Sequence, residues 1–182
     1  MHIDFLQSPV VVARSLIGWT LLVNGVGGVI VETEAYDMDD EASHSFRGMT
    51  ARNAAMFGEP GTAYVYRSYG LHWCLNLVCG PSGHGAAVLV RALEPTNGID
   101  TMQQRRGVQA LRLLTTGPGR VAQALGVDRS LDGLPLDRPP FALSPPGVAR
   151  AVSIGVRVGI TKAADRPWRF AMTGSAHLSR KL

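Results

Sequence analysis

Cysteine is scarce in this 182-residue chain. Cys74 and Cys79 are the only two, too few for a disulfide framework and without the paired spacing of a zinc site. A reducing, cytoplasmic setting is expected, nucleoid-associated if the source is bacterial. Long apolar runs are also missing: the stretch from Val10 to Val31 is broken by Arg14 and Asn24, and the start Met1-His2-Ile3-Asp4 lacks the basic region and apolar run of a secretion signal. Neither a membrane partner nor secretion is expected. No internal repeat or low-complexity tract stands out.

What is present suffices for one domain over residues 1–182. Apolar residues make up 46% and charged residues 18%, enough to bury a sizeable core. The net charge of +4 is unevenly placed. Residues 1–41 hold Arg14 against seven acids, a net −6, so the remainder carries +10. All but two of the 18 bases are arginine, whose planar fork suits phosphate and stacks on rings. Either a polyanion partner or a compositional bias with a solvated basic surface accounts for this.

Element signals alternate between strand and helix. Phe5 to Ile17 predicts a short amphipathic helix ended by Gly18, with Pro9 in its first turn. Strand formers from Trp19 to Val23 and Val29 to Tyr36 flank Asn24-Gly25 and Gly27-Gly28, a hairpin signal. Further strands are expected at Thr62 to Tyr66, Leu71 to Cys79, Ala86 to Leu93, Val152 to Ile160 and Trp168 to Thr173. Pro118 to Leu125 reads as a helix with Gly126 past its end, and the Pro-rich stretch Leu134 to Pro146 as a surface loop. The balance is an α+β domain rich in antiparallel pairing.

Polar side chains inside these strands carry the chemical interest. Alternation puts Ile30, Glu32, Glu34 and Tyr36 on one face of the second strand. Arg91 is the one polar side chain in Ala86 to Leu93. Burying either charge alone is costly, so the arginine and a glutamate are expected to meet, as a structural ion pair or in a polar cleft. Glu32 and Glu34 do not suit a sugar glycosidase, whose two carboxylates flank the bond from opposite sides. Tyr64 and Tyr66 share a strand face, and Tyr69 sits beside Gly70 at a turn. An aromatic held out there wastes apolar area unless covered, and with arginines nearby a nucleobase is the natural cover; core or edge packing is the alternative. Asn76 is a polar side chain in an apolar run, readable as a buried amide bonded to backbone.

Several segments in order carry a resemblance. Val31-Glu32-Thr33-Glu34-Ala35-Tyr36, Glu41-Ala42-Ser43-His44-Ser45, Arg52-Asn53, Pro60-Gly61-Thr62-Ala63-Tyr64-Val65-Tyr66, Tyr69-Gly70 and Arg91-Ala92-Leu93-Glu94-Pro95 resemble the alkyladenine (3-methyladenine) DNA glycosylase family. Gly117-Pro118-Gly119, Arg157-Val158-Gly159 and Arg169-Phe170 continue the likeness over nearly the whole chain. The resemblance implies a single mixed domain on a curved, mainly antiparallel sheet with flanking helices. It implies a monofunctional enzyme, without cofactor or metal and expected as a monomer. Such an enzyme flips an alkylated purine, and in some cases hypoxanthine or ethenoadenine, out of double-stranded DNA and hydrolyses its N-glycosidic bond.

The same resemblance assigns roles. Glu34 matches the general base, and Arg91 with the backbone carbonyl of Val158 helps hold the attacking water. Tyr36, His44 and Tyr66 match the side chains that sandwich the base, and Asn76 a pocket wall that disfavours guanine's exocyclic amine. Tyr69 matches the wedge, with Leu71 and His72 beside it as minor-groove candidates and Arg52 as a DNA-binding candidate. Apart from the resemblance, Gly117-Pro118-Gly119-Arg120 opens a helix whose N-terminus can bind phosphate, which makes Arg120 a DNA-binding candidate, a plain loop-to-helix junction being the alternative. Relatives often carry arginine and proline where this chain has Met49 and Ala51, so one phosphate contact fewer is expected.

The chemistry has its own logic. An alkylated adenine already carries positive charge and leaves readily, so what remains is to deprotonate a water at the sugar carbon. Burial works against an ionised carboxyl and an adjacent guanidinium opposes that, which gives Arg91 a purpose beside Glu34. A Schiff-base lyase needs an amine nucleophile, and Lys162 and Lys181 are the only lysines. Two other readings compete: a non-catalytic module binding damaged or single-stranded nucleic acid, and a metal-dependent hydrolase using the cluster from Asp37 to His44.

Overall fold

The computed structural model describes residues 2–182, leaving Met1 outside. Its first element is helix α1 (Pro9–Ser15). The helix starts four residues later than Phe5. The Asp4 carboxylate accepts from the Leu6 amide at 3.0 Å and the Gln7 side chain at 2.9 Å, holding that stretch in a turn. Ser8 then caps the helix, accepting from the Val11 amide, and Pro9 takes the first helical position, where its missing N–H costs nothing.

Strands β1 (Thr20–Val23) and β2 (Val26–Tyr36) join through Asn24-Gly25 alone. Both turn residues lie in the left-handed region, at φ 49° and 77°, as a two-residue hairpin turn requires. The second glycine pair belongs to β2 instead. A Cβ on Gly27 would fall 2.0 Å from the Leu21 carbonyl oxygen, and one on Gly28 1.9 Å from that of Glu94, so these glycines let β2 close on both neighbours.

The chain continues through β3 (Ala63–Ser68), β4 (His72–Cys79), β5 (Ala86–Asn97), α2 (Ile99–Arg106), α3 (Leu111–Leu114), α4 (Pro118–Leu125), β6 (Phe141–Ser144), β7 (Val152–Gly155) and β8 (Arg169–Met172). The strands form one curled antiparallel sheet in the order β3-β4-β5-β2-β1-β6. Beyond the end of β1, β8 takes over the same edge of β2, pairing Glu32 with Ala171 and Glu34 with Arg169, and β7 lies on β8. The architecture is α+β, with α1 and α4 packed on the sheet. Among the described residues no helix is long and apolar enough to cross a membrane.

Three expectations need correction. The Pro-rich stretch is not wholly a surface loop: Phe141–Ser144 pairs with β1 as β6, and Leu136 and Phe141 are buried, because the outer edge of β1 needs a partner. The strand expected from Val152 to Ile160 stops at Gly155, beyond which the chain turns Arg157 inward. Simple alternation fails within β2. The β2–β5 register slips around Ile30, Glu32 and Thr33, leaving Val31 and Arg91 without ladder partners. Ile30 therefore packs in the main core with Ala35, and Thr33 donates from its hydroxyl to the Ala13 carbonyl of α1. Glu32, Glu34 and Tyr36 face the other side. There, Tyr36 and Tyr66 pack on a smaller cluster of Met56, Tyr64, Val78 and Ala87.

Gly28→Ala should destabilise the protein by about 3 kcal/mol, since backbone must move to admit the methyl group. At Gly147, where a Cβ meets nothing, alanine should stay within about 0.5 kcal/mol of the parent. Urea unfolding of both variants measures the contrast.

Candidate active site

Glu34 is fully buried and receives three donors. The Tyr36 hydroxyl donates to Oε2 at 2.9 Å, Arg91 donates to the same oxygen at 3.1 Å, and the Val158 amide donates to Oε1 at 2.7 Å. A carboxylate offers about four acceptor sites, so one remains open. The Arg91 guanidinium feels burial, which opposes its charge, but Glu34 and Glu32 outweigh it and raise its pKa. Burial, and then the neighbouring Glu34, push the Tyr36 hydroxyl well above its ordinary value, so it remains a donor. Val158 meets Glu34 through its amide.

Glu32 serves a different purpose. It is equally buried and accepts from Arg169 Nε at 2.7 Å, Arg91 Nε at 3.2 Å, the Ser179 amide at 2.5 Å and the Ser179 hydroxyl at 2.8 Å. Of its partners only Arg91 lines the space described next, whereas all three partners of Glu34 do, so Glu34 is the carboxylate nearer open space.

That space is a cavity of about 530 Å³, the volume class of small-ligand sites. Glu34 is not one of its lining side chains, but its donors Tyr36, Arg91 and Val158 are, together with His44, Tyr66 and Asn76. His44 and Tyr66 meet edge to face, with ring centroids 4.4 Å apart, and Tyr64 stacks on Tyr66 at 5.5 Å. His44 Nδ1 lies 2.9 Å from the Tyr64 hydroxyl. Burial, and then the charge of Arg52, lower the His44 pKa and keep the ring neutral near neutrality. Asn76 is both a buried amide bonded to backbone, donating to the Tyr64 carbonyl at 3.0 Å, and a wall of the cavity.

The loop that carries His44 is held by Asn53. Its amide donates to the carbonyls of His44 at 2.8 Å and Gly48 at 3.1 Å, while its oxygen accepts from the Thr50 amide at 2.6 Å. A second lock is the Asp40–Arg157 pair, in which both side chains are fully buried. Arg157 also donates to the Ala35 carbonyl at 3.0 Å and stacks between the rings of Tyr36 and Trp168, at 4.8 Å and 5.3 Å. It thereby fixes Tyr36 and the adjacent Val158 together.

The rim is formed by the β3–β4 hairpin and the start of α4. Tyr69 is 93% exposed yet held at φ 50°, in the left-handed region, followed by Gly70 at φ 69°. Leu71 and His72 beside it are also exposed, and His72 lies against Gly119. Tyr69, Arg52 and Pro118 line the mouth of the cavity. Arg120 does not, and its guanidinium donates to the Thr116 hydroxyl at 2.9 Å. Met49 and Ala51 are exposed in the loop before Arg52.

The acidic cluster from Asp37 to His44 is dispersed among other partners. Asp37 pairs with His84 at 2.6 Å, Asp39 lies 3.6 Å from Arg166, Asp40 binds Arg157 and Glu41 lies 3.9 Å from Lys162. Among the described residues no three His, Cys, Asp or Glu side chains are grouped to hold a metal ion. Sequence reasoning assigned no role to Tyr64 as the partner of His44, to Cys74 and Leu89 in the cavity wall, or to Asp40, Arg169 and Ser179 behind it. Arg157, between Val156 and Val158, and Arg169, between Trp168 and Phe170, are charges flanked by apolar residues, but nothing local specifies Asp40 and Glu32 as their partners.

A family model described as methylpurine-DNA glycosylase matches residues 3–176 of the chain. A protein of Nitrosospira multiformis is 62% identical over 178 residues, which cover 98% of this chain and 92% of that protein. One of Rhizobium meliloti is 61% identical, covering 97% and 94%, and one of Agrobacterium fabrum 54% identical, covering 97% and 90%. All three carry 3-methyladenine DNA glycosylase in their names.

Asp40→Asn leaves the Arg157 charge buried without its counter-charge and should lower stability by about 3–5 kcal/mol in urea unfolding. His44 should leave a signature in the pH dependence. Because folding lowers its pKa from 6.5, the unfolded chain takes up this proton first as pH falls. Stability is then lost below about pH 6.5, until the folded imidazole titrates as well. His44→Gln should flatten that part of the acid slope, read from unfolding midpoints between about pH 5 and 8.

Proposed function

The chain belongs to the methylpurine-DNA glycosylase family, and from that premise we propose that it hydrolyses the N-glycosidic bond of an alkylated purine turned out of duplex DNA. The observation that carries the reading is Glu34, buried and oriented by Tyr36, Arg91 and the Val158 amide, immediately behind a ring-lined cavity of about 530 Å³.

In the proposed reaction a water beside Arg91 and Val158 reaches the open acceptor site of Glu34. As the bond from the sugar carbon to the purine nitrogen lengthens, its electron pair leaves with the base and positive character grows on the sugar. The water oxygen bonds to that carbon and Glu34 takes its proton. The products are a free base and an abasic site. A 3-methyladenine base is cationic before it leaves, and its loss neutralises it, so no general acid is required for this class.

The cavity walls suit that cargo. Tyr36, His44 and Tyr66 offer ring faces and edges, and stacking on a nucleobase is worth about 1–3 kcal/mol. Aromatic faces favour a cationic ring further. A neutral His44 adds no opposing charge. Turning the base out costs a few kcal/mol, least where pairing is already weakened. Tyr69, projecting beside Leu71 at the hairpin tip, would occupy the vacated stack and offset part of that cost. The arginines outside residues 1–41 supply the attraction for phosphate.

Incubating the protein with methylated duplex DNA and assaying the free base tests the proposal. Binding without release would support a recognition module instead. Glu34→Gln keeps the size of the side chain and should lower single-turnover release by at least about 100-fold, with duplex binding retained. Release at the parent rate would remove Glu34 from the mechanism. Tyr69→Ser should weaken binding to a duplex with an abasic-site analogue by roughly tenfold, the value of one stacking contact.

A further inference from the structure

Arg91 has two tasks in this site, neutralising Glu32 and donating to Glu34, and a guanidinium free to rotate could do both in several poses. Its orientation is fixed from behind. Nε donates to Glu32 Oε1 at 3.2 Å and to the Ser179 hydroxyl at 3.4 Å, and one terminal nitrogen donates to the same hydroxyl at 3.2 Å. The other terminal nitrogen is thereby turned to Glu34 Oε2 at 3.1 Å. The Ser179 hydroxyl donates in turn to Glu32 at 2.8 Å, so it bridges both members of the supporting pair.

Ser179 lies three residues beyond the part of the chain that the family model matches. The segment around it is anchored independently of that hydroxyl. Arg112 donates to the Ala176 carbonyl at 2.9 Å, the Ser179 amide donates to Glu32 at 2.5 Å, and Arg169 donates to the Arg180 carbonyl. Leu182 sits against Gly155, where a Cβ would collide with it at 2.2 Å. A segment tied down by so many backbone contacts holds its serine in a fixed place.

We infer that Ser179 is a positioning residue of the active site, whose hydroxyl aims the Arg91 guanidinium at Glu34. The inference deepens the glycosylase reading and rests on it for the effect on rate. It does not rest on it for the orientation of Arg91. Removing the hydroxyl leaves the backbone anchors in place but frees one terminal nitrogen of Arg91. The side chain then samples poses in which Glu34 loses its charged donor.

The test compares the parent with Ser179→Ala and Ser179→Thr. Ser179→Ala should slow single-turnover base release about tenfold, the usual effect of one hydrogen bond to a charged group. Affinity for an abasic-analogue duplex and the unfolding midpoint should stay near those of the parent. Ser179→Thr restores a hydroxyl and should lose less than about threefold, within the spread of a conservative change. The Arg91 Nε–H resonance in 15N NMR should exchange with solvent faster in Ser179→Ala than in the parent.

A parent-like rate together with unchanged exchange in Ser179→Ala overturns the inference. So does an equal loss in both variants, or a loss matched by weaker duplex binding and a lower midpoint. If the parent releases no base, the glycosylase reading fails, and the exchange measurement still decides whether Ser179 orients Arg91.

Discussion

Two carboxylates buried two residues apart on one strand set the terms for everything around them. Glu32 and Glu34 are both buried, with little solvent to screen their repulsion, and Arg91 is the charge that answers both. Replacing such a buried cluster by apolar side chains is often neutral or stabilising, so the fold alone gives little reason to keep it. Its value lies in geometry. Arg91 can reach both acids because it sits at the irregularity in the β2–β5 ladder, next to the Glu32–Ala92 pair, where it is held by no regular partner.

From that cluster the surroundings divide the labour between the two acids. Arg169 and Ser179 hold Glu32 from the side away from the cavity while Arg91 holds it from the other, so it works as a brace. Glu34 is held by groups that themselves form the cavity wall, so its orientation and the shape of the cavity are set by the same side chains. The Asp40–Arg157 lock repeats the arrangement one step outward, presenting a guanidinium to the Tyr36 ring and fixing the backbone next to Val158. Few of these groups could move without displacing another, as the proposed reaction requires of groups that orient a reactant.

Much of this was legible in the sequence wherever the signal is local. Asn24-Gly25 marked its hairpin, and Pro118 and Gly126 bounded α4 to the residue. Glu34 and Arg91 stood out as charges in apolar strands, and the structure brings them into contact. The rest was hidden for identifiable reasons. Helix α2 reads as polar, with Met102 its one fully buried side chain. Strand β6 lies among prolines that argue for a loop. Alternation put Ile30 beside Glu32 because a bulge has no signature in residue types. Ser179 carries no mark until the chain has folded back on itself, and the role of Arg169 is equally hidden, since their partner Glu32 is 147 and 137 residues away.

Those separations have a kinetic consequence. The contacts that complete the site join Glu32, Glu34 and Asp40 on one side to Arg157, Val158, Arg169 and Ser179 on the other, spans of 117 to 147 residues. Closing loops of this length is the slow part of folding, and a chain in which β2 has paired with β1 and β5 but not yet with β8 already owns most of its core. It would be compact and yet lack the oriented Glu34 carboxylate. On the proposed reading, turnover would therefore report complete maturation more stringently than compactness or secondary-structure content.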